Sequence, residues 1–177
     1  MNPESHDHQK HPPSIFLRTK KDDPYNLLLP PSVTSLGIKS RPPTSQEAAL
    51  FRISPERILS DKRTSLMIKN IPNKYTQRTL KETLEESHKQ AFDFLYLPID
   101  FKNGCNVGYA FINMRNAEAV LTFYRKYNGQ RWGMFNSEKV CEITYARLQG
   151  FKAMHRHFQT STIKKLEDAK MKPVIIR

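Results

Sequence analysis

Cysteine is scarce in this chain of 177 residues: only Cys105 and Cys141 occur. Two thiols make no disulfide framework, and their rarity fits a reducing compartment. Long apolar runs are lacking too. None approaches the ~18–20 residues of a membrane span, so no membrane association is expected. The opening residues MNPESHDHQKHPPS show no charged start followed by an apolar stretch, so no secretory signal is expected. Motifs that carry chemistry are missing as well. There is no phosphate-cradling glycine loop, no G-x-S-x-G elbow and no helix-borne carboxylate pair, so the chain is not expected to be an enzyme. His6, His8 and His11, or His155 and His157 with Cys105 or Cys141, are the candidate metal ligands. No Cys-x-x-Cys pair or His-Glu-x-x-His helix organises them, so neither a metal nor a cofactor is expected. Acidic residues are outnumbered, 17 Asp+Glu against 29 Lys+Arg, which leaves a formal charge of +12 and points to a polyanionic partner.

What is present is unevenly distributed. Nine of the twelve prolines fall in residues 1–60, and that segment carries little net charge. Repeated loss of backbone donors favours extended, solvated chain, so residues 1–61 are read as a disordered, proline-rich N-terminal region. Within it, Ile15-Phe16-Leu17 and Leu27-Leu28-Leu29 are short apolar patches able to dock a protein partner. Ser45 to Ile58 has the pattern of a helical turn broken at Pro55. Residues 61–160 hold 16 basic and 9 acidic side chains, a net +7, so most of the excess charge lies in the middle segment.

That segment alternates strand and helix patterns. Ser65–Ile71, Ala91–Leu97, Val107–Met114 and Val140–Ala146 read as strands. Thr76 caps a helix carrying Leu80 and Leu84 to about His88, and Asn116 caps a second with Val120, Phe123 and Tyr127 on one face, ended by Asn128-Gly129. The order β-α-β-β-α-β is the ferredoxin-like plan, an α+β fold with a four-stranded antiparallel sheet and two helices on one face. Phe151, Met154 and Phe158, at i, i+3 and i+7, predict a third, C-terminal helix. The period of two places Leu66, Ile68, Phe92, Phe94, Tyr96, Ala110, Ile112, Ile143 and Tyr145 towards the helices. It places Met67, Lys69, Asp93, Leu95, Val107, Tyr109, Phe111, Glu142 and Thr144 outward. Tyr109 and Phe111 then stand side by side, exposed, at the sheet centre. Such a platform suits stacked bases, with Lys and Arg at its rim meeting phosphates.

At these residues the chain resembles an RNA recognition motif. Val107-Gly108-Tyr109-Ala110-Phe111-Ile112-Asn113-Met114 is similar to the family's K/R-G-F/Y-G/A-F-V-x-F/Y pattern, with Val107 in the basic position and Met114 in an aromatic one. The partner strand, Leu66 to Ile71, has Met67 where a stacking ring is usual. The phrases LMIKNIPNKYTQ (66–77), DFLYLPIDFKNGCNVGYAFIN (93–113) and FNSEKVCEITYARLQG (135–150) resemble the C-terminal RNA recognition motif of the Mei-two-like family, over about residues 64–160. The resemblance implies a motif over 62–149, a helical extension over 150–160 and a basic tail over 161–177, in a short form holding only this domain. It implies a single-stranded RNA-binding regulator of the kind linked to meiosis and development, monomeric, in nucleus or cytoplasm. Tyr109 and Phe111 are the first candidates for RNA contact, followed by Met67, Lys69 and Leu95. Lys74, Lys102, Asn103 and Arg131 are candidate rim contacts, and Arg147 and Lys152 extend them past the fourth strand. Asn70 is read as ordering the first loop, and Trp132 as packing. A second reading keeps the fold without RNA: the apolar sheet face binds a helix or protein partner, and the C-terminal helix either covers that face or recruits the partner.

Overall fold

The structure, a computed structural model, describes residues 45–100, 103–160 and 172–176. The expectations for residues 1–44, including both apolar patches, lie outside the described residues. The element order is α1 (Ser45–Phe51), a 3-10 turn (Pro55–Arg57), β1 (Ser65–Lys69), α2 (Gln77–His88), β2 (Phe92–Tyr96), β3 (Tyr109–Met114), α3 (Ala117–Tyr127), β4 (Glu142–Tyr145), α4 (Phe151–Thr160) and β5 (Val174–Ile175). Among the described residues the ferredoxin-like order is there, with one strand and two helices more than the four-stranded, two-helix plan. All pairings are antiparallel, in the order β4-β1-β3-β2-β5.

The local reasons are those of the sequence. Thr76 is extended and accepts from the Thr79 amide, while the Thr79 hydroxyl accepts from the Thr76 amide, a reciprocal cap that starts α2. Asn116 accepts from the Ala119 amide and starts α3. Gly129 takes φ +76 just after α3, a conformation that favours glycine, and its amide donates to the Cys141 carbonyl.

The helix-side core joins Leu66, Ile68, Phe92, Leu95, Ala110, Ile112, Ile143 and Tyr145 of the sheet to Leu80, Leu84, Val120 and Phe123 of α2 and α3. Ile53 and Ile58 are buried in the same cluster. The helix of 45–51 ends before Pro55, which opens the 3-10 turn, and the chain around that turn packs onto the same core. Arg63 holds this segment in place. It pairs with Asp61 at 2.6 Å, donates to the Leu50 carbonyl at 2.7 Å and lies 3.8 Å from the Tyr145 ring centroid.

Strand β2 overturns part of the facing pattern. Phe92 pairs with Met114 and Phe94 with Asn113, so two steps on β2 match one step on β3. This bulge at Asp93 reverses the alternation. Leu95, expected outward, packs in the helix-side core, while Phe94 and Tyr96, expected inward, join Met67, Tyr109 and Phe111 on the opposite face.

Candidate nucleic-acid interface

The face away from α2 and α3 carries Met67 from β1, Phe94 and Tyr96 from β2, and Tyr109 and Phe111 from β3. Register explains the grouping, because residues directly opposite share a face: Met67 faces Phe111, and Phe111 faces Tyr96. The Tyr109 and Phe111 rings stand edge to face, 5.7 Å between centroids. They are not exposed, as expected from the sequence, but buried: Tyr109 keeps 7% of its surface, and Phe111 and Met67 none. The reason is α4. Its apolar stripe lies on this face, with Met154 and Phe158 buried in the same cluster and Phe151 half-buried at its edge. Phe158 meets Phe94 at 5.3 Å and Tyr96 at 4.7 Å. Alternation assigns a face; it does not say what covers it. The sheet face does bind a helix, and that helix is the chain's own.

The start of α4 is fastened by polar groups. The Gln149 side chain accepts from the Thr64 and Ser65 amides and donates to the Ser65 and Ala146 carbonyls, at 2.7–3.1 Å. All four hydrogen-bonding positions of its amide are thus used. Next, Gly150 turns the chain at φ +86, and its amide donates to the Ser65 hydroxyl at 2.8 Å. That hydroxyl in turn donates to Asn113, which donates to Asp93. The helix itself, FKAMHRHFQT, contains no acidic residue. Its exposed positions include Lys152 and Arg156, and Phe151 stacks on His155 with nearly parallel rings, 5.4 Å apart.

The candidate rim cations differ in how committed they are. Lys69 pairs with Glu142 at 2.7 Å across the β1–β4 edge, and Arg131 pairs with Glu138 at 2.7 Å on an exposed hairpin. Lys74, Arg147 and Lys152 are exposed, and Lys102 lies outside the described residues. Asn103 donates to Asp100 and accepts from the Cys105 amide, which orders its own loop. Asn70, at φ +60, donates to the Val140 carbonyl and so joins the first loop to the hairpin before β4. Trp132 packs 5.2 Å from Tyr75, as read from the sequence. Lys139, passed over in the sequence, reaches the Ile71 carbonyl and Asn73 and closes the same junction.

Cys141 offers no activated nucleophile at this face. Burial pushes the Cys141 thiol up to about 12, which keeps it protonated, and it lies in the helix-side core. Among the described residues no three His, Cys, Asp or Glu side chains form a metal-binding group. The geometry therefore offers apolar surface and aromatic rings, bordered by cations. Phe94 and Tyr96 belong to that surface and were missed. The one signal for them is that regular alternation leaves apolar residues on both faces of AFDFLYL, with Asp93 alone against either.

A family model described as RNA recognition motif 2 matches residues 63–159. Protein MEI2-like 4 of Oryza sativa subsp. japonica is 51% identical over 127 residues, 71% of this chain and 13% of that protein. Protein MEI2-like 5 of Arabidopsis thaliana is 53% identical over 127 residues, 71% of this chain and 16% of that protein. The chain thus spans only 13–16% of the length of these relatives. Among solved structures, the RRM of RNA15 aligns with a TM-score of 0.41 and 21% identity, over 48% of this chain and 91% of that one.

Proposed function

The chain belongs to the RNA recognition motif 2 family, the domain it shares with the MEI2-like proteins, and on that premise we propose that it binds single-stranded RNA on the sheet face that α4 covers. The observation that carries this reading is the Tyr109–Phe111 pair on the central strand, with one ten-residue helix as its cover. Bases stack on those rings once α4 lifts, and Phe94, Tyr96 and Met67 widen the platform. Stacking contributes about 1–3 kcal/mol per base. Lys74, Arg147, Lys152 and the Lys69 edge meet phosphates, which makes binding weaken as salt rises. The role is one of binding rather than of catalysis, and the chain acts as a post-transcriptional regulator.

Closure makes affinity conditional. Only the open fraction of molecules presents the rings, so the observed dissociation constant is the intrinsic one divided by that fraction. Off the sheet, a ten-residue helix is too short to persist in water, so opening of α4 and its unravelling are one event.

The test is the double variant Tyr109→Ala with Phe111→Ala in the full chain, against a fluorescent single-stranded RNA pool of random sequence. Affinity falls by about 2–6 kcal/mol if two bases stack there. Unchanged affinity in a variant that keeps its circular dichroism spectrum overturns the reading.

A further inference from the structure

Residues 172–176 make a contact that base stacking leaves unused. They run along the outer edge of β2 and lengthen the sheet by one short strand. Ile175 stands opposite Phe94, and Val174 opposite Leu95. Three further hydrogen bonds flank the pairing. The Ile176 backbone amide donates to the Asp93 carbonyl at 3.0 Å, the Arg115 guanidinium to the Ile176 carbonyl at 3.0 Å, and the Gln77 side-chain Nε2 to the Lys172 carbonyl at 2.7 Å. Without this segment the β2 edge presents unpaired backbone groups, the usual template for an added strand.

The same strand carries Phe94 and Tyr96, on which Phe158 near the end of α4 rests. Helix and tail therefore grip one strand from two sides, with eleven residues of chain, 161–171, between Thr160 and Lys172. Helix α4 is thus held at both ends by different means. At its start stand the four bonds of Gln149 and the Gly150–Ser65 bond. Beyond its end stands a strand of two residues. Pairing that short is the weaker fastening and opens first.

We propose that the outer edge of β2 is a strand-docking site for the chain's own residues 172–176, and that this docking is a clasp that holds α4 closed over the aromatic platform. The occupant is the tail because it is seated there and because its link to α4 is short. While the tail is docked, the end of the helix stays within reach of β2 and rebinds as an intramolecular partner at high effective concentration. When the tail leaves, that advantage is lost and the helix opens about its Gln149 hinge. The clasp rests on the RNA reading only for its consequence, since the contact itself is internal to the chain.

Amide hydrogen exchange measures the clasp without RNA. Three proteins are compared: the full chain, a chain lacking residues 172–177, and Ile176→Pro, which removes the donor to the Asp93 carbonyl and trims the side chain that Ile176 packs against the helix-side core. The amides of Met154 to Phe158 exchange about tenfold faster in both variants, while those of Ala110 to Ile112 in β3 keep their protection. Unchanged exchange in α4 shows that the helix is held by its own apolar stripe and overturns the clasp. Loss of protection in β3 makes 172–176 a part of the fold and overturns it equally. The same proteins are then titrated with the random-sequence RNA pool. Tighter binding by a similar factor ties the clasp to RNA access. Faster exchange with unchanged RNA affinity leaves the clasp standing and overturns the platform as the RNA site.

Discussion

The two faces of this sheet are both dry, both rich in aromatic and aliphatic side chains, and unlike in what closes them. The helix-side face is sealed by α2, α3 and the segment bearing Ile53 and Ile58, all joined into one core cluster. The opposite face is sealed by α4, whose buried side chains among the described residues are Met154 and Phe158. Per residue the burial is the same, near 0% exposure on either side. Burial therefore does not separate a core from a covered site. The difference lies in whether the cover is part of the domain or can leave while the domain stays folded.

Cavity-forming substitutions sharpen that contrast most. Phe123→Ala, on the helix side, costs about 3–5 kcal/mol, measured by urea unfolding. Phe158→Ala removes an equally large ring, yet its cost is capped by the free energy of docking α4, because further weakening merely leaves the helix off. We expect about 1–2 kcal/mol there, together with tighter RNA binding. Equal losses at the two positions would make both faces one core.

Thiol reactivity comes next. In a Cys105→Ser background, native Cys141 reports opening of the helix-side core, and in the same background Met154→Cys reports lifting of α4. The introduced thiol reacts with an alkylating reagent about tenfold faster or more than Cys141, whose own burial keeps it protonated. Equal rates would show that α4 opens only with the whole domain.

The smallest effect is that of pH, and it is read on the helix side at His88. Burial, and then the nearby Lys126 charge, hold the His88 imidazole below its ordinary value of 6.5. Below that value the unfolded chain takes up a proton that the folded chain refuses. Stability therefore falls as pH drops through about 6.5 and levels off once the folded imidazole also titrates. His88→Gln flattens this part of a stability profile, and a profile that keeps its slope would assign the titration elsewhere.

Much of the architecture was legible because it follows from local periodicity. The caps Thr76 and Asn116, the break after Asn128-Gly129 and the α4 stripe each act within one turn of chain. Tyr109 and Phe111 were placed on the correct face because β3 alternates without a bulge. Leu95, Phe94 and Tyr96 were misplaced because a bulge is a property of a strand pair, set by how Asn113 and Met114 of β3 meet β2, and no residue of β2 alone declares it. The cover was half legible. Phe151, Met154 and Phe158 announce an amphipathic helix, but amphipathicity does not name the surface it seeks. The Gln149 fastening was invisible, since three of its four bonds reach Thr64 and Ser65, 85 and 84 residues away in sequence.

The absence of any acid from α4 bears on how a ligand arrives rather than on how tightly it stays. Closed, the domain hides its rings and turns Lys152 and Arg156 towards solvent. On the proposed RNA reading, a polyanion diffusing in is drawn first to the obstruction itself, so the helix that delays entry also raises the encounter rate. Salt then slows capture, whereas ring substitutions shorten residence. The two halves of the binding process thus belong to different elements of the chain.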